Sequence, residues 1–237
     1  RMESGLPWVT VKLAASLDGK TALSNGVSKW ITGPEARRDV QRLRLRACAI
    51  VTGIETILAD DPSLNVRYSE LGSLTSQLSE AQVLQPLRVV LDSRARMPIT
   101  AALFTIESPI LLVSTVSYSS DFMAQLPAHV TCLQLPAIDG RISLPELLSY
   151  LGKSCNQVLI EAGATLAGAF IGAGLADELV LYQAMKILGA QGRNLLELPD
   201  YQMMADIPTL KLVDERKVGA DTRFTLRLES NPSLANK

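Results

Sequence analysis

The chain has 237 residues, with 23 lysines and arginines against 24 aspartates and glutamates, and 47% of it is hydrophobic. A formal net charge of -1 leaves no cationic surplus for a run of phosphates, which excludes electrostatically driven nucleic-acid binding and makes any phosphate site local. His129 is the single histidine, and Cys48, Cys132 and Cys155 lie far apart without a C-x-x-C. No metal site, Ser-His-Asp triad or disulfide framework is therefore expected, and the setting reads as reducing and cytoplasmic, with buried thiols.

In chain order, residues 1–6 read as a cloning junction or linker remnant, because Arg1 precedes Met2. Residues 8–15 (Trp-Val-Thr-Val-Lys-Leu-Ala-Ala) form a β-rich run that ends at the turn signal Ser16-Leu17-Asp18-Gly19, which predicts a central first strand. Thr32-Gly33-Pro34-Glu35 offers a capping threonine, an early proline and a glutamate at the capping-box position. Ala36, Val40, Leu43 and Ala47 follow at helical spacing, so a helix is predicted there. Residues 48–51 read as a short strand, and residues 54–59 as a short helix stopped by Asp60-Asp61-Pro62. Residues 69–86, rich in Ser, Gln and Glu, read as a surface excursion with one weak helix. Strands at 87–91, 110–114, 130–135 and 157–160 then alternate with helices at 118–125, 144–151 and 164–173. Such alternation predicts an α/β fold with a mostly parallel sheet and helices on both faces. Residues 178–184, 211–218 and 223–228 read as strands, the last two joined through Gly219-Ala220-Asp221 as an antiparallel hairpin that makes the sheet mixed. Residues 230–237 read as a flexible polar tail, and 1–237 as a single domain. No apolar run, Pro109 to Val113 included, is long enough to span a bilayer.

Three groups of residues carry possible chemistry. Gly163-Ala164-Thr165-Leu166-Ala167-Gly168-Ala169 stands at a strand-to-helix junction, where backbone N–H groups and the helix dipole attract an anion such as a dinucleotide pyrophosphate. The glycines do not have the G-x-G-x-x-G spacing, which disfavours a standard Rossmann domain. The segment equally fits a turn followed by close helix packing. Arg37, Gln41 and Arg44 fall on one helical row beside the apolar stripe; Arg44, Arg67 and Ser28 then form either a phosphate clamp or part of a solvated arginine-rich face. Asp60 and Glu161 sit where open α/β sheets present ligand-facing side chains, although Asp before Asp-Pro is also ordinary turn chemistry and Glu161 is also a helix-capping residue. Trp8 reads as core, and Trp30, after a Ser-Asn-Gly loop, as a pocket wall.

The order of the short motifs is more specific than any one of them. Residues 11–20 (Val-Lys-Leu-Ala-Ala-Ser-Leu-Asp-Gly-Lys), Ser28-Lys29-Trp30-Ile31-Thr32, Ala36-Arg37-Arg38-Asp39, Ala59-Asp60-Asp61-Pro62 with Leu64 and Arg67, Leu91-Asp92-Ser93-Arg94 and Glu161-Ala162-Gly163 follow one another along the chain. In this series the chain resembles the reductase domain of the bifunctional riboflavin-biosynthesis deaminase/reductase, from about Trp8 to Leu228. The resemblance implies a dihydrofolate-reductase-like α/β fold and NADPH-dependent reduction of 5-amino-6-(5-phosphoribosylamino)uracil to the ribityl compound. It matches Ser28, Arg44, Leu64, Arg67 and Glu161 to substrate contacts. It matches Ala14, Trp30, Thr56, Asp60, Ser93 and Gly163 to Ala169 to cofactor contacts, with Arg94 beside Ser93 placed for the adenosine 2'-phosphate. Asp60, and more weakly Lys12, are the candidates for electrostatic support or proton handling.

The resemblance also implies a homodimer, for which residues 178–184 and 211–228 offer long strand edges, and a zinc deaminase ahead of this domain that these residues cannot build. Two rival readings remain at this point: a reductase of the same fold acting on a pterin or other heterocycle, and a non-catalytic NADPH-binding regulatory module.

Overall fold

In a computed structural model of the chain, residues 5–229 are described. The expectations for residues 1–4 and for the 230–237 tail lie outside them. The main strands are β1 (Trp8–Ser16), β2 (Ala49–Gly53), β3 (Leu87–Leu91), β4 (Ile110–Ser114), β5 (Val130–Gln134), β6 (Gln157–Glu161), β7 (Glu178–Ala184), β8 (Leu210–Val218) and β9 (Asp221–Leu228). The helices are α1 (Pro34–Arg46), α2 (Ile54–Asp60), α3 (Ser120–Gln125), α4 (Leu144–Gly152) and α5 (Ala164–Gly172). The chain forms two compact units, one of Gln41–Leu159 with the residues through Trp8, the other of Val9–Val40 with the residues from Ile160 onward.

In the first unit β2, β3, β4 and β5 lie side by side in that order, all parallel. Their apolar runs are buried almost without alternation through β2, β3 and β4, as a parallel sheet covered on both faces requires. Burial lessens at the edge strand β5. Leu147, Leu148 and Leu151 bury one stripe of α4, whose start is capped by the Ser143 hydroxyl accepting from Glu146 N–H at 3.4 Å.

The second unit has the order β8, β9, β7, β1. β1 and β7 are parallel, whereas β7–β9 and β8–β9 are antiparallel, which makes the sheet mixed. Val9, Val11, Leu13 and Ala15 bury one face of β1, leaving Thr10, Lys12 and Ala14 half-buried on the other. The β8–β9 hairpin turns through Gly219-Ala220, with Gly219 at φ +64°, the glycine-first arrangement that suits strand twist.

Several expectations need correction. The residue before α1 is Gly33, whose carbonyl accepts from Arg37 N–H at 3.3 Å; Thr32 stands one residue too early to cap and gives its carbonyl to the Arg37 side chain instead. Residues 69–86 hold no α-helix but single 3-10 turns at Tyr68–Glu70, Gly72–Ser76 and Glu80–Gln82. Gly72 at φ +62° interrupts any longer helix, and the Tyr68 hydroxyl ties the excursion together by donating to the Thr75 and Leu78 carbonyls. The helix expected from residue 118 starts at Ser120, because the Ser119 hydroxyl caps it and Tyr118 is buried. β7 lies between β1 and β9 and β9 between β7 and β8, so of the closing strands only β8 is an edge. Trp8 is half-buried rather than core, and Cys48 is exposed, while burial pushes the Cys132 and Cys155 thiols up.

Candidate active site

The first unit presents the residues around Asp60 and Arg67 on a loop whose backbone is fastened residue by residue. α2 ends at Asp60, and Asp61 leaves it in the left-handed region at φ 43°, donating its N–H to the Ile57 carbonyl and accepting from Ala102 N–H at 2.8 Å. The Asn65 carbonyl accepts from Arg44 Nη1 at 2.9 Å, and Arg67 N–H donates to Gln41 Oε1 at 3.0 Å. Gln41 is 1% exposed and Arg44 9%, so this row of α1 faces inward and part of the arginine-rich helix is not a solvated face. Gln85 closes a two-way bond with Val66, accepting from its N–H at 2.8 Å and donating to its carbonyl at 2.9 Å.

Arg88, fully buried in β3, holds the base of the same loop and its neighbour. It donates to the carbonyls of Ser63, Leu103, Ile106 and Ser108, the last three at 2.6 to 2.8 Å. Burial without a carboxylate on these bonds pulls its guanidinium down to about 10. Arg67 itself is exposed and makes a two-pronged pair with Glu70, Nε to Oε1 at 2.6 Å and Nη2 to Oε2 at 3.0 Å. Each arginine of the expected clamp thus has a protein partner. Leu64 has φ 52° and a buried side chain, which leaves its backbone as the part able to meet a ligand.

The Ser93-Arg94 turn is held by Asp92, which is buried and accepts from Met97 N–H at 2.8 Å and from the Tyr118 hydroxyl at 2.9 Å. Burial, then the Asp92 charge, pushes the Tyr118 phenol far up, so it remains a donor to that carboxylate. Ser93 is half-buried and Arg94 exposed; Thr56, on α2, is half-buried.

In the second unit Lys12 and Ala14 share a face of β1, and Ala14 stands in register with Tyr182 and Tyr182 with Arg223. Above this row α1 places Asp39, whose Oδ2 accepts from the Tyr182 hydroxyl at 2.7 Å and from Arg223 Nη1 at 2.9 Å. Gly33 N–H donates to the Asp221 carboxylate at 2.7 Å, which fixes the start of the helix over the same strands. Ser28 is half-buried, and Trp30 is 61% exposed after a cis Lys29–Trp30 peptide. The Ser16-Leu17-Asp18-Gly19 turn is closed by Asp18, which accepts from the Ser16 hydroxyl and from the N–H groups of Leu188 and Gly189. These bonds hold its carboxyl at about 2.

Glu161 ends β6 and is half-buried, and α5 follows from Gly163. Ala167 and Gly168 are buried, so Gly163, Ala164, Thr165, Leu166 and Ala169 are the accessible part of this segment. Gly168 has a packing reason of its own: a Cβ there would stand 2.0 Å from the Glu197 carbonyl oxygen. The same Glu197 accepts from the Thr165 hydroxyl at 2.7 Å. At Gly163 an added Cβ meets nothing within 4 Å, so the helix entrance is open.

Within each unit, then, expected residues converge: Arg44 with the 64–67 loop in the first, Lys12 and Ala14 on one strand face in the second. Gln41 was read only as part of the arginine row, and Gln85, Arg88, Glu197 and Lys186 were not singled out, because their partners are mostly backbone groups, which leave no side-chain pattern. Among the described residues no group of three or more His, Cys, Asp or Glu is placed to hold a metal ion, and no helix is long and apolar enough to cross a membrane.

Comparison with known proteins adds an independent line. The family model of the RibD C-terminal domain matches residues 7–224. Riboflavin biosynthesis protein RibD of Escherichia coli K12 is 44% identical over 223 residues, covering 93% of this chain and 60% of that protein. The 5-amino-6-(5-phosphoribosylamino)uracil reductase of Buchnera aphidicola from Acyrthosiphon pisum is 34% identical over 206 residues, covering 86% of this chain and 98% of that protein. Among solved structures, Acinetobacter baumannii RibD, form 1, superposes with a TM-score of 0.84 at 38% identity, covering 97% of this chain and 60% of that one. The chain therefore spans about three fifths of the longer relatives it matches.

Proposed function

The chain belongs to the RibD C-terminal domain family, and from that premise we propose that it reduces 5-amino-6-(5-phosphoribosylamino)uracil to 5-amino-6-(5-phosphoribitylamino)uracil with NADPH, a step of riboflavin biosynthesis. One observation carries the reading: a relative bearing the name of that reductase aligns over 98% of its own length, which supports the named activity for a chain of this extent.

The residues fit a nicotinamide dinucleotide. The α5 entrance is open at Gly163, and the first-turn amides there suit a pyrophosphate, whereas the Thr165 hydroxyl is already bound to Glu197. In this reading Gly163 to Ala169, Ala14, Trp30, Thr56, Asp60, Ser93 and Arg94 hold the cofactor, with Ala167 and Gly168 acting from behind. NADPH supplies the hydride when bound. Arg67, Arg44, Ser28, the Leu64 backbone and Glu161 hold the substrate, the arginines and Ser28 meeting its phosphate. The fastened 60–67 loop fixes the backbone that carries Arg67 before substrate arrives, so ordering the loop costs little on binding. For Arg67 to take a phosphate it must share its guanidinium with Glu70 or exchange that partner. Asp60, or as the weaker candidate Lys12, gives electrostatic support or handles the proton that accompanies ring opening of the ribosyl group.

We further place both units in one reductase domain acting in the cytoplasm. The domain works as a homodimer and, in a longer protein, behind a zinc deaminase. Loss of NADPH absorbance with enzymatically generated substrate tests the reading, with NADH and dihydrofolate in parallel. Oxidation with the phosphoribosyl compound alone is expected; turnover of dihydrofolate instead, or binding without turnover, would replace it with a heterocycle reductase or a regulatory module. A sedimentation mass of 25.6 kDa at micromolar concentration would remove the dimer.

A further inference from the structure

Trp30 is 61% exposed, yet its surroundings are built. The Arg37 guanidinium stands over one face of the indole, 4.3 Å from the ring centroid, and the same group is steered by donating from Nη1 to the Thr32 carbonyl at 2.8 Å. Lys186 Nζ donates to the Trp30 carbonyl at 2.8 Å. The cations thus hold the ring and its backbone separately. Among the described residues neither has a carboxylate partner, in contrast to Arg38 on the same helix, which pairs with Glu35.

A cation behind an aromatic ring changes what the opposite face accepts. Its field passes through the indole, so a neutral, electron-rich ring stacked there gains and a positively charged ring loses. The reduced nicotinamide ring is a neutral dihydropyridine, whereas the oxidised ring is a pyridinium cation. We propose that Arg37 and Lys186 are positioning residues that hold Trp30 as a stacking platform for the nicotinamide ring, and that the Arg37 charge makes this platform prefer the reduced cofactor. The inference rests on the reading of Trp30 as a cofactor contact and adds to it a basis for telling the two redox forms apart. The same arrangement would favour release of the oxidised form, because a pyridinium ring stacked on Trp30 would be repelled by the Arg37 charge behind the indole.

The experiment compares affinities for NADPH and NADP+ by titration calorimetry, with quenching of tryptophan emission as a second readout. The phosphates are common to both forms, so the ratio of the dissociation constants isolates the ring. In Arg37→Met the preference for NADPH is expected to fall about three- to tenfold, in line with one charge about 8 Å away at partial exposure. Arg37→Lys is expected to restore most of it, because it restores the charge. In Lys186→Met both forms are expected to weaken together with the ratio kept. Trp30→Leu is expected to abolish the sensitivity of the ratio to residue 37. An unchanged ratio in a folded Arg37→Met protein would overturn the proposal while leaving the reductase reading intact. Failure of the unaltered protein to bind either form would overturn the reductase reading itself. If Arg37→Met does not fold, Arg37→Gln carries the same comparison.

Discussion

The loop at 60–67 in the first unit and the loop at 23–32 in the second both carry residues assigned to ligand contact, but they are held in different ways. The first is fastened along its length by buried and half-buried polar side chains reaching its backbone: Arg44 to Asn65, Gln85 to Val66, Gln41 to Arg67 and Arg88 to Ser63. The second is held mainly at its end, by Lys186 on Trp30 and Arg37 on Thr32. In between lie a turn of its own, with Leu23 N–H donating to the Val27 carbonyl, and the exposed Leu23, Val27 and Trp30. On the proposed function, the difference separates two tasks. A phosphate is recognised by charges fixed in advance, which buried hydrogen bonds secure. A flat ring needs a wide apolar surface open to approach, and that surface cannot also be buried.

The strongest test of this contrast is Arg88→Met, which leaves the Ser63, Leu103, Ile106 and Ser108 carbonyls without their donor. A loss of about 3–5 kcal/mol in urea unfolding is expected. Gln85→Ala removes the partners of Val66 N–H and carbonyl and should cost about 1–3 kcal/mol, with hydrogen exchange at the Val66 amide rising first. Arg67→Ala should sharpen the contrast by separating stability from binding. Its exposed pair with Glu70 predicts less than about 1 kcal/mol of stability change, against about a tenfold or greater rise in KM for the phosphoribosyl substrate. Equal losses in both would show that the loop is not pre-formed. The smallest effect is expected at Asp18 in the second unit, whose carboxyl is held at about 2 from an ordinary 3.8. A depressed carboxylate contributes above its unfolded value and fades as pH falls through its folded one. Exchange protection of the Leu188 and Gly189 amides should therefore hold above pH 3.8, decline towards pH 2, and be lost in Asp18→Asn.

Much of the fold was legible because the apolar runs are long and bounded. β3, β4 and β7 have the limits that periodicity gives, and the parallel sheet followed from strands alternating with helices. The start of α1 was misread by one residue because Thr32 and Glu35 have capping-box spacing, while the chain uses Thr32 O to steer Arg37 instead. Arg88 was illegible for a different reason. A single arginine in Leu87-Arg88-Val89-Val90-Leu91 reads as the outward residue of a strand, and its partners are carbonyls of residues 63 and 103–108. Asp92 was visible as part of a motif, but its buried role depends on Tyr118, which the helix reading had assigned to α3. Gly168 read as part of an anion-binding entrance, and only the path of the chain at Glu197 supplies its packing reason.

The edge strand β8 carries an irregularity with a consequence for self-association. Leu212 faces Leu226 and Asp214 faces Thr225, so Val213 is an extra residue, 54% exposed. A bulge of this kind bends the strand and breaks the even row of donors and acceptors that an incoming strand would copy. Leu210, Leu212 and Val213, all exposed, would otherwise make an adhesive rim. The bulge divides the strand into two short ladder stretches, Leu210–Leu212 and Asp214–Val218, and the second carries Asp214, Glu215, Arg216 and Lys217, with Arg216 Nε donating to Asp214 at 2.7 Å. The fold thereby guards its open rim against indiscriminate fibre-like stacking, breaking the apolar stretch and following it with charged side chains.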